Sequence, residues 1–168
     1  MTFELPGVGP ESKYEKLFRA VGFIVVQWGM NEQHLDLIVA VIFDHFKGHK
    51  LLKRRPTNLK DKIDLLKKCF TEFSELKNLE IESRTLFERF ANASQIRNDI
   101  VHAAIEDCSQ DDTFIFTKID VVPKEHHKLR PVVFCDTEWP TFRKELQCLG
   151  KDSLSLAKRV WNTLKVNK

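Results

Sequence analysis

The chain has 168 residues, of which 42% are hydrophobic, and its net charge is +3. This is the length of one domain with a buried core, and the apolar content excludes a wholly disordered chain. So small a net charge does not by itself indicate a nucleic-acid-binding protein. The longest apolar run, 37–43, is too short to span a membrane, and the first residues lack the pattern of a signal peptide. We therefore expect a soluble, cytoplasmic protein.

The first predicted element is a long helix that follows a short arm. Residues 1–11 are interrupted by Pro and Gly, so we expect a flexible N-terminal arm, with residues 12–168 forming a single helical domain. From residue 12 onward, apolar side chains recur every three, four or seven positions over about nine helical turns. They are Leu17, Val21, Ile24, Trp28, Leu35, Ile38, Ile42 and Phe46. A helix of this length is typical of a bundle.

Three further helices are predicted along the chain. The second begins at Pro56 and Thr57, the third runs from about Glu80 to His102, and the last runs from Thr137 to Val166. Apolar residues define a predicted buried face on each helix. They are Leu59, Ile63, Leu66, Phe70 and Phe73 in the second helix, and Leu86, Phe87, Phe90, Ala93 and Ile100 in the third. In the last helix they are Trp139, Phe142, Leu146, Leu149, Leu154, Leu156 and Trp161.

Two short β-rich segments, 113–119 and 131–135, predict a small hairpin before the last helix. The predicted fold class is therefore mainly α, a four-helix bundle with an inserted β-hairpin. His126 and His127 lie in the turn of this hairpin, where we expect them to be exposed. The four cysteines show no C-x-x-C spacing, so we expect reduced thiols and neither a metal site nor a cofactor.

Positive charge is concentrated between residues 47 and 68, which hold nine basic residues and two acidic ones. Such a stretch forms either a phosphate-attracting patch or a solvated helix face and loop. The candidate RNA-binding residues within it are Lys53, Arg54, Arg55, Lys60 and Lys62. Contacts with phosphate carry no sequence information, so we expect little base specificity from them.

The segment RNDIVH, residues 97–102, ends the third predicted helix. Asn98 and His102 are four residues apart and share a helix face. Arg97 lies about 140° from His102 around a straight helix. Either the long Arg97 side chain reaches the imidazole, or two copies of the helix meet across a two-fold axis and pool their Arg and His groups.

These residue types suit cleavage of an RNA phosphodiester without a metal. Histidine can remove the 2′-hydroxyl proton or protonate the leaving 5′-oxygen, and a guanidinium stabilises the charge on phosphorus. Asn98 would hold the imidazole tautomer or bind a phosphate oxygen. Asp99 would orient the ring or face solvent, and Glu32 of the first helix would tune His102. The competing interpretation is a helix-end His that interacts with the helix dipole and an Arg in a surface ion pair.

This order of elements and the RNDIVH segment resemble the HEPN superfamily, whose hallmark is Arg, a polar residue, variable positions and His. The segment 27–40, QWGMNEQHLDLIVA, also resembles prokaryotic members. The resemblance covers roughly residues 13–165. It implies a helical homodimer with facing motifs and a metal-independent endoribonuclease that leaves 2′,3′-cyclic phosphate and 5′-hydroxyl ends. Arg97 and His102 would be its catalytic pair and Asn98 the assisting residue.

The same resemblance implies a role as a toxin or antiviral defence effector that cleaves cellular RNA, with a neutralising protein partner. Two other interpretations stay open. One is a non-catalytic HEPN-like dimer that binds RNA or a protein. The other is a helical regulator or scaffold in which the motif is coincidental.

Overall fold

The computed structural model describes residues 13–108, 113–120 and 128–164. Within these residues there are four α-helices: α1 (Lys13–His45), α2 (Leu59–Glu72), α3 (Glu80–Val101) and α4 (Trp139–Leu164). The described strands are β1 (Ala104–Cys108), β2 (Thr113–Asp120) and β3 (Lys128–Cys135). Short 3₁₀ turns occupy Gly48–Lys50, Ser74–Leu79 and Asp136–Glu138. The mainly-α class is confirmed. The predicted arm and the predicted turn with His126 and His127 lie outside the described residues.

Within the described residues, the two predicted strands pair antiparallel as β2 and β3, and a third strand that was not predicted, β1, extends them to a sheet in the order β1-β2-β3. The missed strand, β1, has the sequence AIEDC and pairs with β2. Ala, Glu and Asp are depleted in strands, so this segment has little strand propensity of its own. The hydrogen bonds that β2 offers therefore decide its conformation. β3 also begins at Lys128, earlier than predicted, because its pairing with β2 extends to Asp120.

Local signals set the start of α2. The Asn58 side chain accepts a hydrogen bond from the backbone N–H of Asp61 at 2.9 Å, which caps the helix. The helix consequently begins at Leu59, after the predicted start at Pro56 and Thr57. The start of α4 at Trp139 is likewise later than predicted, because a 3₁₀ turn precedes it.

By their internal contacts the residues divide into two compact units, Met1–Val26 with Gln95–Lys144 and Gln27–Ser94 with Glu145–Lys168. In the first, the sheet contributes buried Phe114, Phe116 and Phe134 to the core. In the second, the rings of Trp28 and Phe90 meet edge-on with centroids 6.0 Å apart. The single domain 12–168 stays a prediction.

Most of the predicted helical core is confirmed, but three residues of α4 are not in it, because Trp139 is half-buried and Leu154 and Trp161 are exposed. Leu154 and Trp161 are 36% and 45% exposed. They are seven residues apart and therefore share one face of the helix. The buried face of α4 passes instead through Ser153, Leu156 and Val160. Within the described residues, no helix has both the length and the apolar character needed to cross a membrane.

Gly48 allows a close backbone approach after α1. A Cβ at this position would lie 2.8 Å from both the Ile42 carbonyl oxygen and the Phe43 Cα. We expect Gly48→Ala to lower the free energy of unfolding by about 2 kcal/mol, because backbone atoms must shift to admit the methyl group. Gly29→Ala is the control, since nothing lies within 4 Å of a Cβ there. It should raise stability by up to about 1 kcal/mol through helix propensity. Urea unfolding of both variants would measure this, and equal effects would contradict the prediction.

Candidate active site

The end of α3 brings Arg97, Asn98 and His102 together. Arg97 Nη1 lies 2.9 Å from His102 Nε2 and donates to Asn98 Oδ1 at 2.8 Å. His102 follows the last residue of the helix, and its backbone N–H still donates to the Asn98 carbonyl at 3.2 Å. The Arg97 side chain therefore reaches the imidazole within one chain, as the first of the two alternatives expected. The pooling of two motifs across a two-fold axis stays a prediction.

This contact is a hydrogen bond only when His102 Nε2 is the acceptor. A guanidinium has only donors, so Nε2 accepts in the neutral tautomer that carries its proton on Nδ1. An imidazolium has no acceptor and would lose the contact. The imidazole is exposed, which makes it accessible from solvent. In that tautomer, Nε2 carries the lone pair that a general base needs, and the lone pair faces Arg97.

The other side of the Arg97 guanidinium is less well satisfied. Among the described residues, its buried Nε has no hydrogen-bond partner. An unpaired buried donor costs roughly 1–3 kcal/mol, so such groups call for an explanation. An acceptor that approached Nε and Nη together would remove this cost, and a phosphate has oxygens at the matching spacing.

Asp99 belongs to a separate cluster that joins the end of α3 to the sheet. Its carboxylate accepts hydrogen bonds from Lys118 Nζ at 2.6 Å, Arg130 Nη2 at 2.8 Å and Gln95 Nε2 at 3.0 Å. The Asp99 side chain is 14% exposed, so it does not face solvent. Arg130 also pairs with Asp120 at 2.9 Å. The carboxylate is therefore engaged by three donors other than the imidazole.

The sheet register explains why a carboxylate is needed at this point. Lys118 of β2 and Arg130 of β3 are direct cross-strand partners, and like charges in that position are destabilising. Asp99 lies between them and offsets the repulsion. Burial by itself raises the pKa of Asp99, but hydrogen bonds from Arg130, Lys118 and Gln95 hold that pKa well below its ordinary value. The hydrogen bond to Asp99 in turn raises the pKa of Arg130. Sequence reasoning missed Lys118 and Arg130, because only strand pairing brings them together.

Glu32 accepts a hydrogen bond from Trp28 Nε1 at 2.9 Å, four residues earlier in α1. This contact satisfies the indole of a buried tryptophan. The tuning of His102 by Glu32 stays a prediction.

The basic stretch is less uniform than its composition suggests. Lys62 is 6% exposed and its Nζ lies 2.7 Å from Asp36 Oδ1, so it is not part of the exposed cationic surface. Arg55 pairs with Asp44 at 3.1 Å. Lys53, Arg54 and Lys60 are exposed. Residues 51–57 and the start of α2 line an open cavity of about 760 Å³, whose lining includes both basic and acidic side chains. The lining residues are Leu51, Leu52, Lys53, Arg54, Arg55, Pro56, Thr57, Asp61, Asp64, Leu65 and Lys68.

Comparisons of the chain with protein-family models, with curated proteins and with solved structures found no match.

Proposed function

We propose that the protein is a metal-independent endoribonuclease of the HEPN type that acts as a homodimer. Arg97 and His102 are its catalytic pair, and Asn98 assists them. The observation that carries the proposal is the 2.9 Å contact between Arg97 Nη1 and His102 Nε2 at an exposed helix end. A guanidinium can stabilise the charge that develops on phosphorus, and a neutral imidazole can accept the 2′-hydroxyl proton.

Substrate binding begins with Arg97. A phosphate of RNA offers oxygens to the guanidinium and competes with His102 for Nη1. Arg97 turns toward the phosphate, and the lone pair on His102 Nε2 becomes free. Asn98 keeps one guanidinium N–H engaged during this movement through its Oδ1. The exposed cations Lys53, Arg54 and Lys60 attract the RNA strand by its phosphates.

The chemical step then uses the nucleophile that RNA itself carries. His102 Nε2 accepts the 2′-hydroxyl proton while the 2′-oxygen attacks phosphorus, and Arg97 stabilises the added negative charge. The P–O5′ bond breaks, the leaving oxygen takes a proton from water, and the protonated His102 returns its proton to the solvent. The products are a 2′,3′-cyclic phosphate and a 5′-hydroxyl. In the cell, this activity would serve a toxin or antiviral effector restrained by a neutralising protein.

RNA cleavage by the purified protein in excess EDTA tests the proposal. We expect cleavage that survives chelation and leaves cyclic-phosphate ends, detected by resistance of the 3′ end to polyadenylation until the phosphate is removed. His102→Ala prepared in parallel should be inactive. Equal activity in the two preparations would indicate a contaminating nuclease and would overturn the assignment. RNA binding without turnover would instead favour the non-catalytic dimer.

A further inference from the structure

The unit that holds the RNDIVH segment also contains a cleft lined by basic residues and aromatic rings. It encloses about 350 Å³ and is lined by Lys16, Arg19, Phe23, Trp139 and Arg143. This volume lies at the lower end of the range for small-molecule sites, roughly 300–1,000 Å³. The lining comes from the first three turns of α1 and the first two turns of α4, and it contains three basic residues and no acidic one.

The two rings form one side of the cleft. Phe23 and Trp139 meet edge-on, with centroids 5.5 Å apart and planes at 82°. Because the contact uses an edge of one ring, it leaves ring faces that are not covered by the partner ring. Both side chains are only partly buried. An aromatic face at the wall of an open cleft is a stacking surface for a planar ligand.

The cations are placed around these rings. The Arg143 guanidinium lies 5.0 Å from the centre of the Phe23 ring. A guanidinium held over a ring can still offer N–H groups to phosphate oxygens. Arg19 forms an ion pair with Glu15, both largely exposed, so part of its charge is already offset. Arg143 is therefore the cation best placed to bind an anion beside the rings.

We propose that this cleft binds one nucleotide of a single-stranded RNA, with Trp139 stacking on the base and Arg143 binding the adjacent phosphate. The inference rests on the proposed function, which makes RNA the ligand. Stacking on an aromatic ring tolerates any base, so the cleft adds affinity for unpaired RNA without base specificity. Unpaired strands are favoured because the bases of a duplex are not available for stacking on a side chain.

The test is the binding of a fluorescently labelled oligouridine, followed by anisotropy in a His102→Ala background so that cleavage does not interfere. We expect Trp139→Ala to weaken binding by about 10-fold and Trp139→Phe to change it by less than about threefold. Arg143→Gln should weaken binding by about threefold to 10-fold and reduce its salt dependence. Circular dichroism of each variant checks the fold, and Arg143→Gln keeps the test decisive if Trp139→Ala does not fold.

Lys144→Gln is the matched control, because it removes the same charge from the next residue of α4, which is exposed and outside the cleft. It should bind within about twofold of the background. An equal loss for Lys144→Gln and Arg143→Gln, or no loss for Arg143→Gln and Trp139→Ala, would overturn the proposal. Uridine monophosphate that bound as tightly as the oligonucleotide would identify a free nucleotide as the ligand and overturn the RNA-strand assignment.

Cleavage and binding fail independently, so the two proposals are separable. If the wild type cleaves RNA and both cleft variants bind RNA undiminished, the nuclease proposal is supported and the proposed role of the cleft is contradicted. If the wild type does not cleave RNA but the cleft variants clearly lose RNA binding, the nuclease proposal is contradicted and the cleft proposal is supported.

Discussion

His102→Ala is expected to lower the rate constant for RNA cleavage by about 10³-fold or more, since a positioned general base or acid contributes roughly 10²–10⁴-fold. The imidazole is exposed and lies beyond the end of α3. Its backbone hydrogen bond to Asn98 is retained by Ala. The free energy of unfolding should therefore stay within about 0.5 kcal/mol of that of the wild type. Single-turnover cleavage rates and urea unfolding measure the two quantities.

His45→Ala is the matched control, because His45 is also exposed and also stands at the end of a helix. It should keep the wild-type rate constant. A rate constant for His102→Ala within about threefold of that of the wild type would remove His102 from the mechanism. Arg97→Lys is the companion variant: it keeps the positive charge but loses the planar fork, and we expect a loss of about 10²-fold.

Co-expression of Arg97→Ala with His102→Ala chains tests the composite dimer. If catalysis uses Arg97 of one protomer with His102 of its partner, a mixed dimer holds one complete pair and regains activity that neither variant has alone. If the pair acts within one chain, as its 2.9 Å contact permits, mixing restores nothing. Folded mixed dimers that remained inactive would overturn the composite site and leave the Arg97–His102 pair intact.

Asp99→Asn is expected to lower the free energy of unfolding by about 2 kcal/mol, because it removes the carboxylate of a partly buried ionic cluster; the exposure of Arg130 keeps the loss below that of a fully buried ion pair. Lys118 and Arg130 would then face each other across the strands without a carboxylate between them. The Asp99 side chain is 14% exposed and that of Lys118 is 19% exposed, so water screens them poorly. Thermal or urea unfolding measures the loss.

The matched control is Asp120→Asn, which removes the other carboxylate that pairs with Arg130. Asp120 and Arg130 are each 39% exposed, and exposed ion pairs contribute roughly 0–1 kcal/mol. A loss for Asp99→Asn no greater than that for Asp120→Asn would contradict the role of Asp99 in joining α3 to the sheet.

The same cluster predicts a dependence of stability on pH. The folded-state pKa of Asp99 is lowered from its ordinary value of 3.8, since the hydrogen bonds from Arg130, Lys118 and Gln95 outweigh its burial. A carboxyl of this kind binds more protons in the unfolded state, so its stabilisation is present above the ordinary pKa. That stabilisation is lost as the pH falls from there through the folded-state pKa. The wild type should therefore lose more stability than Asp99→Asn on acidification below about pH 4. Parallel pH profiles for the two proteins would contradict this.

Local signals made the helices predictable from the sequence. The apolar residues of α1, from Leu17 to Ile42, recur with the helical period. This period identifies the buried face of the helix even when the elements that pack against it are unknown. The end of α3 at RNDIVH was predicted within one residue. The short spacing from Arg97 to His102 brought their pairing within reach of sequence reasoning, because a long side chain can cover that distance.

Long-range partners decided the rest. β1 has weak strand propensity and forms because β2 pairs with it. Leu154 and Trp161 are exposed because other residues of α4 form its buried face. Asp99 and Lys62 look like surface charges in the sequence, but the folded chain surrounds each with opposite charge from a distant segment. The sequence by itself determined the helical periodicity and the candidate motif, since these depend on neighbours within one or two turns. Only the tertiary structure decided strand pairing, ion-pair partners and the Trp139 cleft, because these require residues that are far apart in the chain to meet.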